Sequence, residues 1–268
     1  MNKIAVLIPS YRPGDYLINC FNALDSQTLD KSRYRIYIGL NGDHLPYESL
    51  ILDYLSKMSF DYEYVYIESP GVSNARNVLI DISKEEFIVF IDDDDLVSPN
   101  YLEELLAVSS VDTIGITNIC NFETDLNHLK QNYIGKSFYN ITNTEESKLK
   151  SRKHFSSPCA KMIDRNMIGN HRFDPNVAKG EDSLFMALIS KNVKAVKKTS
   201  PEACYYVYER VDSATRKKTR LYVEVKTLSY LMTQYFKLLL KPGYDTSFIL
   251  TRILATGVKF FKLGNRLK

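Results

Sequence analysis

The feature that most constrains this chain is the alternation of short apolar runs with helical stripes through its first half. Ile4 to Ile8 is an unbroken apolar run, as in a strand buried on both faces. Leu17, Cys20, Phe21 and Leu24 follow at i, i+3, i+4 and i+7, which is one face of a helix. Tyr34 to Leu40 reads as a second strand. Pro46 suits a first helical position, and Leu50, Ile51, Tyr54, Leu55 and Met58 form the next stripe. Tyr62 to Ile67 is a third strand, Ala75, Val78, Leu79 and Ile82 a helix face, and Phe87 to Ile91 a fourth strand. Pro99 then opens a helix carrying Leu102, Leu105 and Leu106. Such βα alternation predicts an α/β fold with a mostly parallel central sheet and flanking helices. Ligands bind such sheets beyond the carboxyl ends of the strands, so the residues just after each strand carry the functional information.

Further on, Asp112 to Phe122 reads as one more strand. Asn127 to Arg152 is polar and weakly periodic, and a loop or insertion is expected there. Gly180 to Lys191 reads as a helix, and Val193 to Lys198 and Ala203 to Tyr208 as strands. Beyond Ser213 the chain turns helical and basic. The net charge of +3 hides this change. Ala214 to Lys268 holds twelve Lys or Arg against two acids, a surplus of +10, which leaves −7 for the residues before it. No run approaches the ~20 apolar residues that span a bilayer, and the apolar start is too short for a signal peptide. Cys20, Cys120, Cys159 and Cys204 have neither zinc-ligand nor redox spacing. A cytoplasmic location is expected.

The strongest chemical signal is Asp92-Asp93-Asp94-Asp95, directly after the fourth strand. Carboxylates there face a cleft. Two of them separated by one residue can grip a divalent cation, which neutralises a diphosphate leaving group. A solvated turn capping the next helix explains the same run when it is taken alone. A calcium loop does not, because Leu96 and Val97 stand where an oxygen ligand and a glycine are needed. The other strand ends carry Pro9-Ser10-Tyr11-Arg12, Asn41-Gly42-Asp43 and Gly71 through Asn77. They offer a ring to stack on a base, an amide to pair with it and an arginine for base or phosphate. Each has an ordinary reading too: packing for Tyr11, a turn for Asn41-Gly42, a solvated helix residue for Arg76. Their succession at four strand ends is what points to a nucleotide. His44, His128, His154 and His171 show no metal spacing.

This order closely resembles the family 2 glycosyltransferases, whose nucleotide-binding fold is called GT-A. The signatures are Ile8 through Arg12, Gly71 through Asn77, Phe90 through Asp95 with Pro99, Gly180-Glu181-Asp182, and Tyr208 through Ser213. The resemblance implies that Pro9, Tyr11 and Arg12 line the nucleoside site and that Arg76 helps bind the nucleotide. It implies Asp92 near the ribose, Asp94 as main ligand of Mn²⁺ or Mg²⁺, and Asp93 or Asp95 in support. Such enzymes invert the anomeric centre in one displacement, which needs one base on the acceptor side. Glu181 and Asp182 alone would read as acids favoured at a helix N-terminus. With the resemblance, Asp182 becomes the base and Glu181 its orienting partner. Arg210 and Arg216 either contact phosphates or belong to the basic tail. One departure concerns the base: the pattern has two aspartates where this chain has Leu40-Asn41. Asn41 can accept from uracil, and it can also donate.

The expected organisation is a glycosyltransferase domain over residues 1–213, with a nucleotide part to about residue 122 and an acceptor-side part from 123 to 213, followed by a helical extension over 214–268. The expected partners are a UDP-sugar and a glycan or lipid-linked acceptor in bacterial-type surface polysaccharide or glycolipid synthesis, with no nucleic acid. Two rivals remain: a non-catalytic nucleotide- or glycan-binding module, and a nucleotidylyltransferase, which should carry a glycine-rich loop after its first strand. On a wheel of Ile249 to Arg266, Ile249, Leu250, Ile253, Leu254, Val258, Phe260 and Phe261 fill one half. Arg252, Lys259, Lys262 and Arg266 cluster on the other. That helix either rests on an anionic membrane surface, making the protein peripheral, or docks its apolar half on the domain and leaves its basic half in water.

Overall fold

The apolar run near the start forms β1 (Ile4–Ser10), in which every residue is buried. After it come α1 (Tyr16–Asp25), β2 (Tyr34–Asn41), α2 (Tyr47–Leu55), β3 (Asp61–Ile67), α3 (Val72–Ile82) and β4 (Phe87–Phe90). The computed structural model describes residues 3–177, 179–210 and 220–264. β2 and β3 add in parallel on one side of β1, and β4 adds in parallel on its other side. β1 is apolar from Ile4 to Pro9 because strands flank it on both sides and helices cover its faces. α3 is one of these, packing on β1 and β2 through Ala75, Leu79 and Ile80. The chain therefore moves outward from β1 to β3 and returns past β1 to β4. At such a reversal the loops beyond two adjacent strands diverge and leave a crevice.

The chain continues through β5 (Leu96–Val97), α4 (Tyr101–Val108), β6 (Thr113–Ile116), β7 (Asn118–Phe122), β8 (Lys130–Gln131), α5 (Tyr133–Phe138) and β9 (Thr144–Glu145). Next come β10 (Lys161–Asp164), α6 (Arg165–Ile168), α7 (Glu181–Ile189), β11 (Ala195–Lys198) and β12 (Cys204–Tyr208). The main sheet has the order β3-β2-β1-β4-β10-β6-β11-β9, and a smaller one the order β5-β12-β7-β8. The main sheet is mixed, because β10 runs antiparallel to both of its neighbours.

Two expectations need correction. The single strand read over Asp112 to Phe122 is two, β6 and β7. At Thr117 the chain leaves the main sheet for the small one, and its N–H bonds to the Ala160 carbonyl. The expected loop over Asn127 to Arg152 holds α5, which buries Ile134 and Phe138 and is capped by the Asn132 side chain. Six residues are too few to display a helical period.

The extension forms α8 (Leu221–Leu239) and α9 (Thr246–Gly264), which pack on each other, with α8 also against α7. Leu231, Tyr235 and Leu238 of α8 are buried, as are Phe248 and Ile249 of α9. Burying a side chain of this kind contributes about 1.5–3 kcal/mol, so the pair is held on the body by its apolar residues. The docked arrangement expected for α9 needs amending, however. Leu250, Leu254, Val258 and Phe261 remain exposed. On the basic half, Arg252 donates to the Arg152 carbonyl at 2.5 Å instead of pointing into water. Lys262 is exposed, and Arg266 lies outside the described residues.

Candidate active site

The strand ends expected to act together do converge, around a cavity of about 630 Å³. Its walls carry Pro9, Tyr11, Asn41, Arg76, Asp92, Asp93, Asp94, Asp95, Glu181, Asp182 and Arg210, all anticipated from sequence. Arg12 is the exception. With a left-handed backbone (φ 50°), it pairs with Asp43 at 2.5 Å on the open surface and does not line the cavity. Arg216 lies outside the described residues.

The four aspartates alternate. Asp92 and Asp94 face the cavity, with side chains 42% and 16% exposed, whereas Asp93 and Asp95 turn inward. The turn that enforces this is closed by the Asp95 N–H on the Asp92 carbonyl at 3.1 Å. Ser10, at the end of β1, donates its hydroxyl to Asp93 at 2.6 Å, and the Tyr208 N–H reaches Asp95 at 2.8 Å. Burial pushes Asp93 up to about 7 and Asp94 up to about 6. Asp95 is raised well above the carboxylate range, again chiefly by burial.

Two guanidiniums oppose these charges. Arg76, buried on α3 above the Phe173 ring, donates to Asp182 at 2.6 Å and to Asp92 at 2.9 Å. Burial works against its charge, but the two carboxylates more than compensate and hold its pKa above the usual arginine value. Arg210 pairs with Asp94 at 2.7 Å and lies over the Tyr16 ring. Asp92, Asp94, Glu181 and Asp182 thus share the cavity with two arginines. Among the described residues no three His, Cys, Asp or Glu side chains converge as a closed cation cage. The donor set instead fits a cation held by Asp94 and completed by ligand oxygens, as magnesium-type sites commonly are.

Asn41 is buried at the end of β2. Its Nδ2 donates to the Ser10 carbonyl at 2.6 Å, and its Oδ1 accepts from the Gly71 N–H at 2.9 Å. It ties two strand-end loops together and keeps one N–H and one lone pair for a ligand. Tyr11 lies against Gly42, where a Cβ would come within 2.8 Å of its ring.

Glu181 and Asp182 begin α7, behind Gly180 in a left-handed conformation (φ 97°). Burial pushes Glu181 up to about 7, helped by the neighbouring Asp182. Asp182 is also raised by burial, and Arg76 opposes that rise. Both carboxylates, with Val72, line a second cavity of about 600 Å³ on the far side of the pair. α8 and α9 close that second cavity.

Sequence reasoning passed over several residues that shape the site. The Tyr205 hydroxyl accepts the Asp92 N–H at 3.1 Å. Lys161 is buried, pulled down to about 8 by desolvation, and donates to the Ser157 and Cys159 carbonyls at 2.6 Å each. Ser10 and Tyr208 do carry a signal, their places within the first strand-end motif and the Tyr208 through Ser213 signature.

The clustered strand ends gather these polar groups in one cavity beside a mixed α/β sheet. The chain belongs to glycosyl transferase family 2, whose family model matches residues 5–171. It is 25% identical over 215 residues to a poly(ribitol-phosphate) beta-glucosyltransferase of Bacillus spizizenii, covering 78% of this chain and 32% of that protein. It is 21% identical over 217 residues to the poly(ribitol-phosphate) beta-N-acetylglucosaminyltransferase TarS of Staphylococcus aureus, covering 78% and 36%. The chain thus spans about a third of these curated relatives. Among solved structures, S. aureus TarS 1–349 in complex with UDP-GlcNAc superposes with a TM-score of 0.78 at 18% identity, over 96% of this chain and 73% of that one. A mannosyltransferase of Pyrobaculum calidifontis in complex with GDP-Man and Mn2+ gives 0.63 at 13% identity, over 95% and 68%. These likenesses establish the GT-A fold.

Proposed function

We propose that this chain moves a sugar from a nucleotide-sugar donor onto an acceptor hydroxyl, with inversion, in the synthesis of a surface polysaccharide or related glycan. The observation that carries this reading is the position of Glu181 and Asp182 on the wall shared by two cavities. A direct displacement needs a base between donor and acceptor, and a carboxylate there reaches the acceptor hydroxyl without entering the nucleotide site.

Asp182 takes the acceptor proton, and Glu181 orients the hydroxyl. Arg76, bonded to both Asp182 and Asp92, fixes the base relative to the donor side and favours a diphosphate beside it. Tyr11 stacks on the base, with the spare groups of Asn41 at its edge. Asp94 would hold a divalent cation, Mn²⁺ or Mg²⁺, with Asp92 beside it. When bound, that ion neutralises charge on the departing diphosphate. Asp93 and Asp95, turned inward on Ser10 and Tyr208, brace the turn. Arg210, now paired with Asp94, would be free to contact the phosphates if a cation took its place on that carboxylate. A UDP-sugar is the proposed donor, supported by UDP-GlcNAc in the TarS structure, and the cation by Mn2+ in the mannosyltransferase.

The helix pair adds a location. Among the described residues no helix is long and apolar enough to cross a membrane. Phe236 of α8, Leu240 just after it, and Leu254, Val258 and Phe261 of α9 nevertheless stand exposed, with Lys237, Lys241 and Lys262 on the same two helices and the loop between them. We read this face as resting on an anionic membrane surface, as amphipathic elements do. Co-sedimentation with phosphatidylglycerol vesicles should exceed that with neutral vesicles, and equal recovery would remove this location.

The central test is a panel of nucleotide sugars assayed for metal-dependent release of nucleoside diphosphate. Asp182→Asn keeps the shape and removes the basicity. Turnover should fall by about 10²–10⁴ while UDP binding is retained. Unchanged turnover would reject the assignment of the base, and pyrophosphate as the product would reject glycosyl transfer itself.

A further inference from the structure

The second cavity has a charge pattern that the transfer chemistry does not use. α9 lines it with Arg252, Ala255, Thr256 and Lys259, spaced i, i+3, i+4 and i+7, so one face of the helix forms a wall. Among the lining residues only Glu181 and Asp182 stand against Arg252 and Lys259, and Asp182 is already paired with Arg76 from the donor side.

Arg252 is the more telling of the two. Its guanidinium lies 4.9 Å from the Phe248 ring centre and donates to the Arg152 carbonyl at 2.5 Å and the Ser156 hydroxyl at 3.3 Å. Its Nε is buried with no partner. Neither acceptor is an anion, and no ion pair within the described residues includes Arg252 or Lys259. Desolvation, with Arg152 close by, works against the charge on Arg252. Placing a guanidinium there without a counter-ion is costly. The cost is recovered if the ligand brings the negative charge. At about 600 Å³ the cavity is of ordinary ligand size.

We propose that the acceptor carries a phosphate, gripped by Arg252 and Lys259 of α9 while its hydroxyl faces Asp182. This rests on the glycosyl-transfer reading and adds the chemical class of the acceptor. A planar guanidinium and a mobile ammonium on one helix face suit phosphate oxygens, the first by geometry and the second by charge. Two sources share that chemistry: the phosphodiester of a polyol-phosphate chain, and the diphosphate of a prenyl-linked glycan.

The test compares three acceptors with the best nucleotide sugar: a short polyol-phosphate oligomer, a short-chain prenyl-diphosphate sugar, and a phosphate-free polyol. At least one phosphate-bearing acceptor should exceed the neutral one by about tenfold or more in kcat/KM, and the better of the two identifies the source. Lys259→Glu and Arg252→Gln should abolish that preference by raising the acceptor KM, with the donor KM unchanged. Lys259 is exposed, so its variant remains informative even if Arg252→Gln folds poorly. Equal use of the neutral polyol, or an equal loss on all three acceptors, overturns the proposal. If no sugar is transferred at all, calorimetry with the same oligomer and prenyl-diphosphate sugar still decides. Binding of either that is lost in Lys259→Glu, with UDP binding kept, supports the phosphate site and counts only against the transfer reading. No binding of either to the wild type, or unchanged binding in the variant, overturns the phosphate site.

Discussion

The two cavities that meet at Glu181 and Asp182 are assembled by opposite means. The donor-side cavity draws most of its walls from the ends of β1, β2 and β4 and the start of α3, all within the first 95 residues. It is crowded with carboxylates. The acceptor-side cavity takes Tyr133, Ser156, Lys179, Leu231, Arg252 and Lys259 from segments scattered along the chain, and its far wall is basic. The first follows from sheet topology, because a strand-order reversal creates a crevice whatever side chains fill it. The second exists only because two terminal helices fold back onto α7. Under the proposed function, donor chemistry and acceptor recognition would reside in parts of the molecule that can be perturbed separately, joined through Arg76 and the carboxylate pair.

The largest effect should come from Asp94→Ala, on the donor side alone. A Lewis-acid cation supplies several kcal/mol of charge stabilisation, so transfer should fall by roughly a thousandfold or more. Excess chelator should reproduce the loss, and the acceptor KM should not move. Full activity in chelator would take the cation out of the site.

Arg76→Met strikes the joint between the cavities. It leaves Asp92 and Asp182 without their shared partner, and breaking the more buried Arg76–Asp182 pair costs about 3 kcal/mol. Denaturant midpoints and UDP affinity should both drop. Loss of only one would mean that the two sides are less coupled than their hydrogen bonds imply.

Gly180→Ala is the milder, acceptor-side counterpart. The left-handed backbone penalises any side chain by about 1–2 kcal/mol, and the added Cβ would meet Leu231 at 2.8 Å. The acceptor KM should rise while UDP binding stays as it was.

The smallest expected effect is on pH. Glu181 titrates near 7 in the fold, against about 4.5 when unfolded. The folded protein therefore binds the extra proton between these values. Its stabilising contribution is complete below about 4.5 and is lost as pH rises through about 7. Activity should move the other way, rising through the same window as the carboxylate pair ionises. Glu181→Gln should flatten the stability change, which thermal melts at pH 5 and pH 8 would reveal. An unaltered slope would assign that titration to another group.

Much of the donor cavity was legible because its signals are local. Ile4 to Ile8, Phe87 to Ile91 and the helical stripes between them report burial on two faces, and a motif directly after a strand inherits that strand's position. Periodicity could also identify α9 as a helix with an apolar and a basic side. It could not say which side meets the protein. In the structure Phe248 and Ile249 dock, Leu254 and Phe261 stay exposed, and Arg252 turns into a cavity wall.

The sequence by itself determined the strand–helix order as far as β4, the aspartate turn and the family, because each depends on residues close in the chain and on the fixed periods of strand and helix. Tertiary structure alone decided four further things. Asp92 and Asp94 face outward while Ser10 and Tyr208 hold Asp93 and Asp95 in. Arg12 is drawn away by Asp43. Strand β10 enters the main sheet antiparallel, and α8 and α9 complete the second cavity. Each is a contact between segments far apart in the chain, set by which surfaces remain to be buried and which charges remain to be balanced once the local elements have formed.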